Sequence, residues 1–132
     1  MQFAPYISFL AVMAALTSAA CQNTATVTQE QVRCYGVQTR LLDNDLVQFH
    51  VTLSGTQSSE QVARYAECAA AQYTLIRGFG FARHVRNRIG QEADRLSADA
   101  VYTISRSLPQ GTKTIDAEVV ADACARDNIP MV

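Results

Sequence analysis

The sequence predicts an α+β fold, a two-layer sandwich in which one main helix covers one face of a mostly antiparallel sheet of about five strands. Three observations carry this prediction. Residues 32–53 read as two strands joined by a short turn, and residues 58–77 repeat apolar side chains at helical spacing. Residues 79–123 then return to alternating runs separated by turn residues. The predicted order of elements is ββαβββ.

The first two strands are expected to form a β-hairpin. Val32 to Leu42 and Leu46 to Leu53 flank Asp43-Asn44-Asp45, residue types that tolerate the left-handed backbone of a tight turn. In the second run, Val47, Phe49, Val51 and Leu53 alternate with Gln48, His50 and Thr52. This alternation predicts one buried face and one solvent face, with His50 on the solvent face.

The helix is the element with the strongest pattern. Ser58, with Gln61 three residues later, is typical of a capping box at a helix start, and Gly78 is typical of the residue after a helix end. The sequence therefore predicts a helix that ends at Arg77. Its apolar stripe consists of Val62, Ala66, Ala69, Tyr73 and Ile76, in which the alanines let the helix lie close to a sheet.

Three further strands complete the predicted sheet. Phe79 to Arg86 alternates with an aromatic inner face, Phe79 and Phe81, that changes to charge at Arg83. Ala98 to Ser105 gives a fourth strand and Thr114 to Ala123 a fifth, with Asp116, Glu118 and Asp122 on its solvent face. Ile89 to Ser97 is interpreted as an irregular link. The helical crossover allows the second and third strands to run parallel.

The N-terminal segment is typical of an export signal. No charged residue precedes Glu30, and the apolar run Ile7 to Leu16 is followed by small residues up to Ala20. A membrane-spanning helix would need about 20 predominantly apolar residues, which this stretch does not supply. We therefore predict a cleaved signal peptide at residues 1–20, a flexible tether at 21–30 and a single α+β domain at 31–132.

Ser18-Ala19-Ala20-Cys21 resembles the lipobox of bacterial lipoproteins. The resemblance implies lipidation of Cys21, cleavage before it, and anchoring of the mature protein to a membrane by its acyl chains. Gln22 at the next position implies the outer membrane, facing the periplasm. Ordinary signal peptidase cleavage at the same site is the alternative, and it would leave Cys21 free to form a disulfide.

Cysteine usage and charge limit the remaining possibilities. In an oxidising compartment the cysteines of a small exported domain are expected to pair, and the preferred bridge is Cys68 to Cys124, with Cys34 as a possible partner. A formal net charge of -1 argues against general attraction to nucleic acid or to acidic membranes.

No catalytic, metal-binding or cofactor-binding motif is predicted. Gly78-Phe79-Gly80 follows a helix and precedes a strand, the reverse of a dinucleotide-binding loop, so no cofactor is expected. Neither His50 nor His84 lies in a recognisable nucleophile motif, and the spacings of metal ligands are missing from the sequence. We therefore predict a non-enzymatic protein, with a small secreted hydrolase using His50 or His84 as the alternative.

One basic stretch is a candidate anion-binding site. It contains Arg77, Arg83, His84, Arg86 and Arg88 without an intervening acid. Guanidinium groups match phosphates and carboxylates bidentately, so lipid headgroups, lipopolysaccharide phosphates or an acidic partner protein are candidate ligands. The alternative is an exposed strand whose charges prevent edge-to-edge pairing.

The segment from Leu46 through Gly55, the Ala-rich helix from Tyr65 to Ile76 and the run Gly78-Phe79-Gly80-Phe81 together are similar to small uncharacterised lipoproteins of proteobacterial envelopes. The resemblance covers about half of the chain. It implies an accessory or binding role in the cell envelope, with an unknown protein or an anionic glycolipid as the partner.

Overall fold

The computed structural model describes residues 32–131, so the predicted signal peptide, Cys21 and the tether lie outside the described residues. The elements are β1 (Arg33–Leu41), β2 (Leu46–Ser54), α1 (Ser59–Ile76), β3 (Phe81–Glu92), β4 (Arg95–Ser105), β5 (Thr114–Asp116) and α2 (Ala117–Arg126). The strands form one sheet in the order β1-β2-β4-β3-β5, and all neighbours are antiparallel. The predicted α+β sandwich is confirmed.

The hairpin and the main helix form as predicted. The amides of Leu42 and Asp43 both donate to the carbonyl of Leu46, at 2.8 and 3.1 Å, and close the β1–β2 turn. At the start of α1 the Ser58 hydroxyl accepts a hydrogen bond from the Gln61 amide at 3.3 Å. Gly78 follows the helix with φ of +77°, a conformation that glycine adopts without steric cost.

The core lies between the sheet and α1. The predicted inner residues of β2 are all buried, and each lies opposite a buried residue of β4, in the pairs Val47–Tyr102, Phe49–Ala100, Val51–Ala98 and Leu53–Leu96. From α1, Val62, Ala66, Ala69 and Ala70 fill the other side. Small residues on both layers let the helix backbone approach the sheet closely.

The inner face of β3 is not the aromatic one that the sequence predicts. Ala82 is fully buried opposite Ile104, whereas Phe81 and Arg83 lie on the opposite side of the strand. Alternation correctly groups Phe81 with Arg83, but it cannot say which set faces the helix. Arg83 therefore lies on the solvent side of the sheet together with Phe81.

The predicted link from Ile89 to Ser97 is regular strand instead. β3 continues to Glu92 and β4 begins at Arg95, with paired residues from Phe81–Ser105 to Glu92–Arg95. Ala93 adopts a positive φ of 55° in the connecting turn. The irregular interpretation was wrong because long-range pairing with β4, rather than local propensity, keeps this segment extended.

The predicted fifth strand is mostly a helix. β5 ends at Asp116, and Ala117 to Arg126 form α2. Asp116 is the N-cap: its Oδ1 accepts hydrogen bonds from the amides of Glu118 and Val119, at 3.1 and 3.3 Å. Consequently Asp116, Glu118 and Asp122 do not share a strand face, because the last two belong to a helix.

The sequence allows β2 and β3 to run parallel, and the structure shows the same direction for both strands without direct pairing between them. β2 and β3 point in the same direction, because each is antiparallel to β4, but β4 lies between them. The helix α1 therefore connects two strands that are not neighbours.

The preferred disulfide is present. Cys68 of α1 is bonded to Cys124 of α2, across 56 positions of sequence, and both residues are fully buried. Cys34 is exposed and forms no disulfide with another cysteine of residues 32–131.

Candidate functional site

No helix or strand of residues 32–131 covers the side of the sheet opposite α1, and we call this side the open face. Its side chains are those that alternate with the core residues, including Arg40 of β1, His50 of β2, Asp99 and Arg95 of β4, and Arg83, Arg86 and Arg88 of β3. The polar character of this face follows from the alternation in the sequence, since a sheet with one solvated face keeps polar residues there.

A bulge aligns the arginines of β3. The register between β3 and β4 shifts between His84 and Arg86, so Val85 has no partner of its own. A bulge adds one residue to a strand, which changes the alternation beyond it. Arg83 and Arg86 therefore share the open face although three positions separate them, and Arg88 continues the row.

The acidic residue opposite the arginines of β3 already forms hydrogen bonds with other side chains. Asp99 lies opposite both Arg88 and His50. Its Oδ1 is 2.8 Å from Nδ1 of His50 and accepts a hydrogen bond from Nε2 of Gln48 at 3.3 Å. Because these bonds orient the carboxylate toward β2, Arg88 has no ion-pair partner among residues 32–131.

Arg86 belongs to a second row across the sheet. Four residues, one on each of four adjacent strands, form this row. They are, in order, Arg86 of β3, Val101 of β4, Gln48 of β2 and Arg40 of β1. Three strand spacings of about 4.8 Å put the backbones of Arg40 and Arg86 roughly 14 Å apart. Val101 is only 3% exposed on this side, since its cross-strand neighbours flank it. Arg40 and Arg86 therefore border a shared surface.

Two further arginines of the open face are held by contacts other than ion pairs. The guanidinium of Arg83 lies against Gly111, so that a Cβ at position 111 would be 3.2 Å from Cζ of Arg83. The guanidinium of Arg95 stacks 4.2 Å from the ring centroid of Tyr35. Within the described part of the chain, none of the arginines of the open face forms an ion pair.

The structure separates the anion-binding residues that the sequence suggests. Arg83, Arg86 and Arg88 come together, but His84 points to the opposite side of the sheet, opposite Tyr102. Arg77 lies at the end of α1, with its guanidinium 5.8 Å from the ring centroid of Tyr73.

Arg40 and Arg95 were missed, because each is isolated in the sequence and joins the cluster only through strand pairing. Alternation was a usable signal for Arg40, since it occupies the same strand face as Gln38 and lies opposite Gln48.

Arg86 and Arg88 also lie at an edge of the sheet. β5 pairs only with Phe81 to Arg83, so within the described part of the chain no strand lies on the outer side of the remainder of β3. Charged side chains on such an edge discourage pairing with other chains. Edge protection therefore accounts for Arg86 and Arg88 as an alternative to ligand binding.

The histidine pair with Asp99 bears on the hydrolase alternative. His50 lines a shallow depression of about 300 Å³ together with Gln38, Thr39, Arg40, Gln48 and Asp99. A carboxylate on Nδ1 orients an imidazole as in catalytic triads, but a hydrolase also needs a nucleophile and donors for the oxyanion. This lining contains neither serine nor cysteine. Residues 32–131 also bring together no group of three or more metal-ligating side chains.

A second cavity lies on the helix side of the sheet, and we call it the groove. Its volume is about 760 Å³, and its lining includes Ala63 and Glu67 of α1, His84 of β3, Tyr102 of β4, and Ile115 and Ile129 at the C-terminal end. Burial raises the pKa of the Tyr102 hydroxyl, and the charge of Glu67 raises it further. Tyr102 is therefore neutral at physiological pH.

Comparison with known proteins identifies the domain. The family model of the YNQ4 C-terminal domain matches residues 34–128. The chain belongs to this family. The match extends from β1 to the residues just after α2, so the open face and the groove both belong to the YNQ4 C-terminal domain, whereas Cys21 lies outside the matched range.

One relative is an uncharacterised protein of Paracoccus denitrificans, described as a 26.9 kDa protein in the nqo8 5′ region. It is 25% identical over 87 residues, which are 66% of this chain and 34% of the relative. The chain thus spans about a third of that protein. No solved structure matches the chain. Among the described residues, no helix combines the length and apolar character needed to cross a membrane.

Proposed function

We propose that this YNQ4 C-terminal domain is a non-enzymatic binding module of the bacterial cell envelope, whose open face binds phosphate groups of anionic lipid headgroups. The observation that carries the proposal is the row of arginines without ion-pair partners, Arg86 and Arg88 with Arg40 across the sheet. An exported, lipidated chain would hold this face close to lipid headgroups, where phosphate is the most abundant anion.

The chemistry of the row suits phosphate. Guanidinium groups stay charged at all physiological pH values and offer planar pairs of donors to two oxygens at once. Asp99, which could neutralise Arg88, is held by His50 and Gln48. A flat sheet face accommodates several headgroups side by side better than it encloses a single small anion.

Charge reversal should weaken vesicle binding selectively. In the exported chain with Cys21→Ser, which lacks the acylation site, Arg86→Glu with Arg88→Glu is expected to lower affinity for phosphatidylglycerol vesicles at least 30-fold. About 1 kcal/mol per basic residue near an anionic surface, lost at two positions, gives this magnitude. Co-sedimentation with phosphatidylglycerol and with phosphatidylcholine vesicles measures it, and binding should also weaken as salt is raised.

The matched control carries the same change in charge elsewhere. Arg77 and Arg126 lie on α1 and α2, away from the open face, so Arg77→Glu with Arg126→Glu should bind nearly as well as the parent chain. Equal losses in both double variants would indicate a net-charge effect. If neither double variant changed vesicle binding, edge protection would remain as the role of Arg86 and Arg88. Selective binding to an acidic protein or to nucleic acid would also contradict the lipid assignment.

Lipidation is tested separately. Mass spectrometry of the mature N-terminus should find a chain that begins at Cys21 and carries a diacylglyceryl group and an N-acyl group. Cys21→Ser should move the protein from the membrane fraction to the soluble fraction, because several acyl chains anchor a protein stably and none remains after the substitution. An unmodified Cys21, or a native chain that still starts at Met1, would refute the anchor.

A further inference from the structure

The groove contains a buried polar atom without a partner. Nε2 of His84 is buried and makes no hydrogen bond with any residue from 32 to 131, and leaving a buried polar atom unpaired is destabilising. The imidazole packs edge-on against the ring of Tyr102, with 5.2 Å between ring centroids. Its ring is therefore fixed by packing, with one ring nitrogen unsatisfied.

A cationic residue lines the same groove. The backbone amide of His84 donates to the carbonyl of Lys113, just before β5, at 3.0 Å, so the two backbones are adjacent, and both residues line the groove. Lys113 has no ion-pair partner among the described residues. Arg64, another cation in the lining, is already paired with Glu67 at 3.1 Å.

The surface of the groove is mostly apolar, and Val32, Leu53, Ala63, Tyr102, Ile115 and Ile129 contribute to it. Two carboxylates also line the groove, Glu60 and the Glu67 that pairs with Arg64. Ligand sites commonly combine a cavity of about 300–1,000 Å³, an apolar lining and a few convergent polar groups. The groove has this combination, with Lys113 just before β5 and His84 on β3 both without a side-chain partner among residues 32–131.

We propose that the groove binds an amphipathic carboxylate, an apolar chain whose carboxylate accepts a hydrogen bond from Nε2 of His84 and pairs with Lys113. The apolar chain packs against Ala63, Ile115 and Ile129. This binding needs neither the arginines of the open face nor an acyl anchor, so its test is independent of the test of the proposed function.

Binding is measured with cis-parinaric acid, a fluorescent chain with a terminal carboxylate, on the exported chain with Cys21→Ser. His84→Phe keeps an aromatic ring on Tyr102 but removes the nitrogen, and it should weaken binding about tenfold, the usual cost of one hydrogen bond to a charged group. Lys113→Met should have an effect of similar size. Ala63→Phe, which fills the cavity, should abolish binding. His50→Phe changes the other histidine, on the open face, and should leave binding intact.

Two measurements on the parent chain need no variant in the groove. Hexadecanoate should displace the probe at lower concentration than hexadecan-1-ol, because only the carboxylate pairs with Lys113. Bound probe should also slow alkylation of Cys34, which lines the groove. Equal competition by acid and alcohol, unchanged binding in His84→Phe, or binding that survives Ala63→Phe would each overturn the proposal, as would preference for an extended peptide.

Discussion

Removal of the Cys68–Cys124 bridge is expected to lower the free energy of unfolding by about 4 kcal/mol. The bridge closes a loop of 56 positions, and restriction of the unfolded chain by such a loop lies between the values of about 3 and 4.7 kcal/mol for shorter and longer loops. A domain of this size has a total stability of roughly 5–15 kcal/mol, so the loss is a large fraction of it.

The location of the bridge gives it a second role. Only Ala117 and Cys124 of α2 are buried, and Val119 is 63% exposed. The rest of the helix is exposed or only partly buried, so we expect the covalent link to α1 to contribute much of its attachment. Without the bridge, we expect α2 to separate from α1 before the sheet unfolds, and the groove to lose the wall that Ile129 provides.

Urea unfolding of the Cys68→Ala/Cys124→Ala variant measures the effect, and reduction of the unmodified chain should give a loss of similar size. The control is Cys34→Ala, which removes an exposed thiol outside the bridge and should change stability by no more than a few tenths of a kcal/mol. Destabilisation by Cys34→Ala as large as that of the double variant would show that Cys34 takes part in the bridge.

Phe49→Ala is expected to destabilise the domain by about 3–5 kcal/mol. Phe49 is fully buried at the centre of the sheet, and its ring makes edge-to-face contacts with Tyr73 of α1 and Tyr102 of β4, at centroid distances of 5.6 and 6.1 Å. Truncation removes the transfer free energy of the ring and leaves a cavity between the two layers.

The matched control is Phe81→Ala. Phe81 belongs to β3 of the same sheet, which β4 separates from β2, but it lies on the open face and is only partly buried. Its truncation should cost clearly less than that of Phe49. Thermal or urea unfolding followed by circular dichroism distinguishes the two variants. Equal losses would mean that the open face is covered in solution, for example by a second chain.

Local sequence patterns predicted an element correctly where only one periodicity, and only one assignment of the buried face, fitted the residues. The alternation of β2, the helical stripe of α1 and the glycine after it all predict the observed elements, because each signal repeats over several residues. The segment after β5 was ambiguous. Ile115, Ala117, Val119 and Ala121 alternate as in a strand, yet Ala117, Ala121 and Cys124 also recur at helical spacing, and the Asp116 cap favours the helix.

The candidate sites depended more strongly on long-range pairing. Arg83, Arg86 and Arg88 were recognisable as a basic stretch, but their shared face depends on the bulge at Val85, which the alternation does not reveal. Arg40 joins them only because β2 and β4 lie between β1 and β3. His84 was grouped with the arginines in the sequence, and strand pairing puts it in the groove with Lys113.

The amino-acid sequence by itself determined the α+β class, the β1–β2 hairpin and the extent of α1, since these follow from repeating local signals and from residue type. Only the tertiary structure decided the strand order, the identity of the inner face of β3, the helix α2, the groove and the choice of Cys68 rather than Cys34 as the partner of Cys124. Those features depend on which distant segments pair, and the free energy of that pairing comes from burial across the whole sheet rather than from any short stretch of chain.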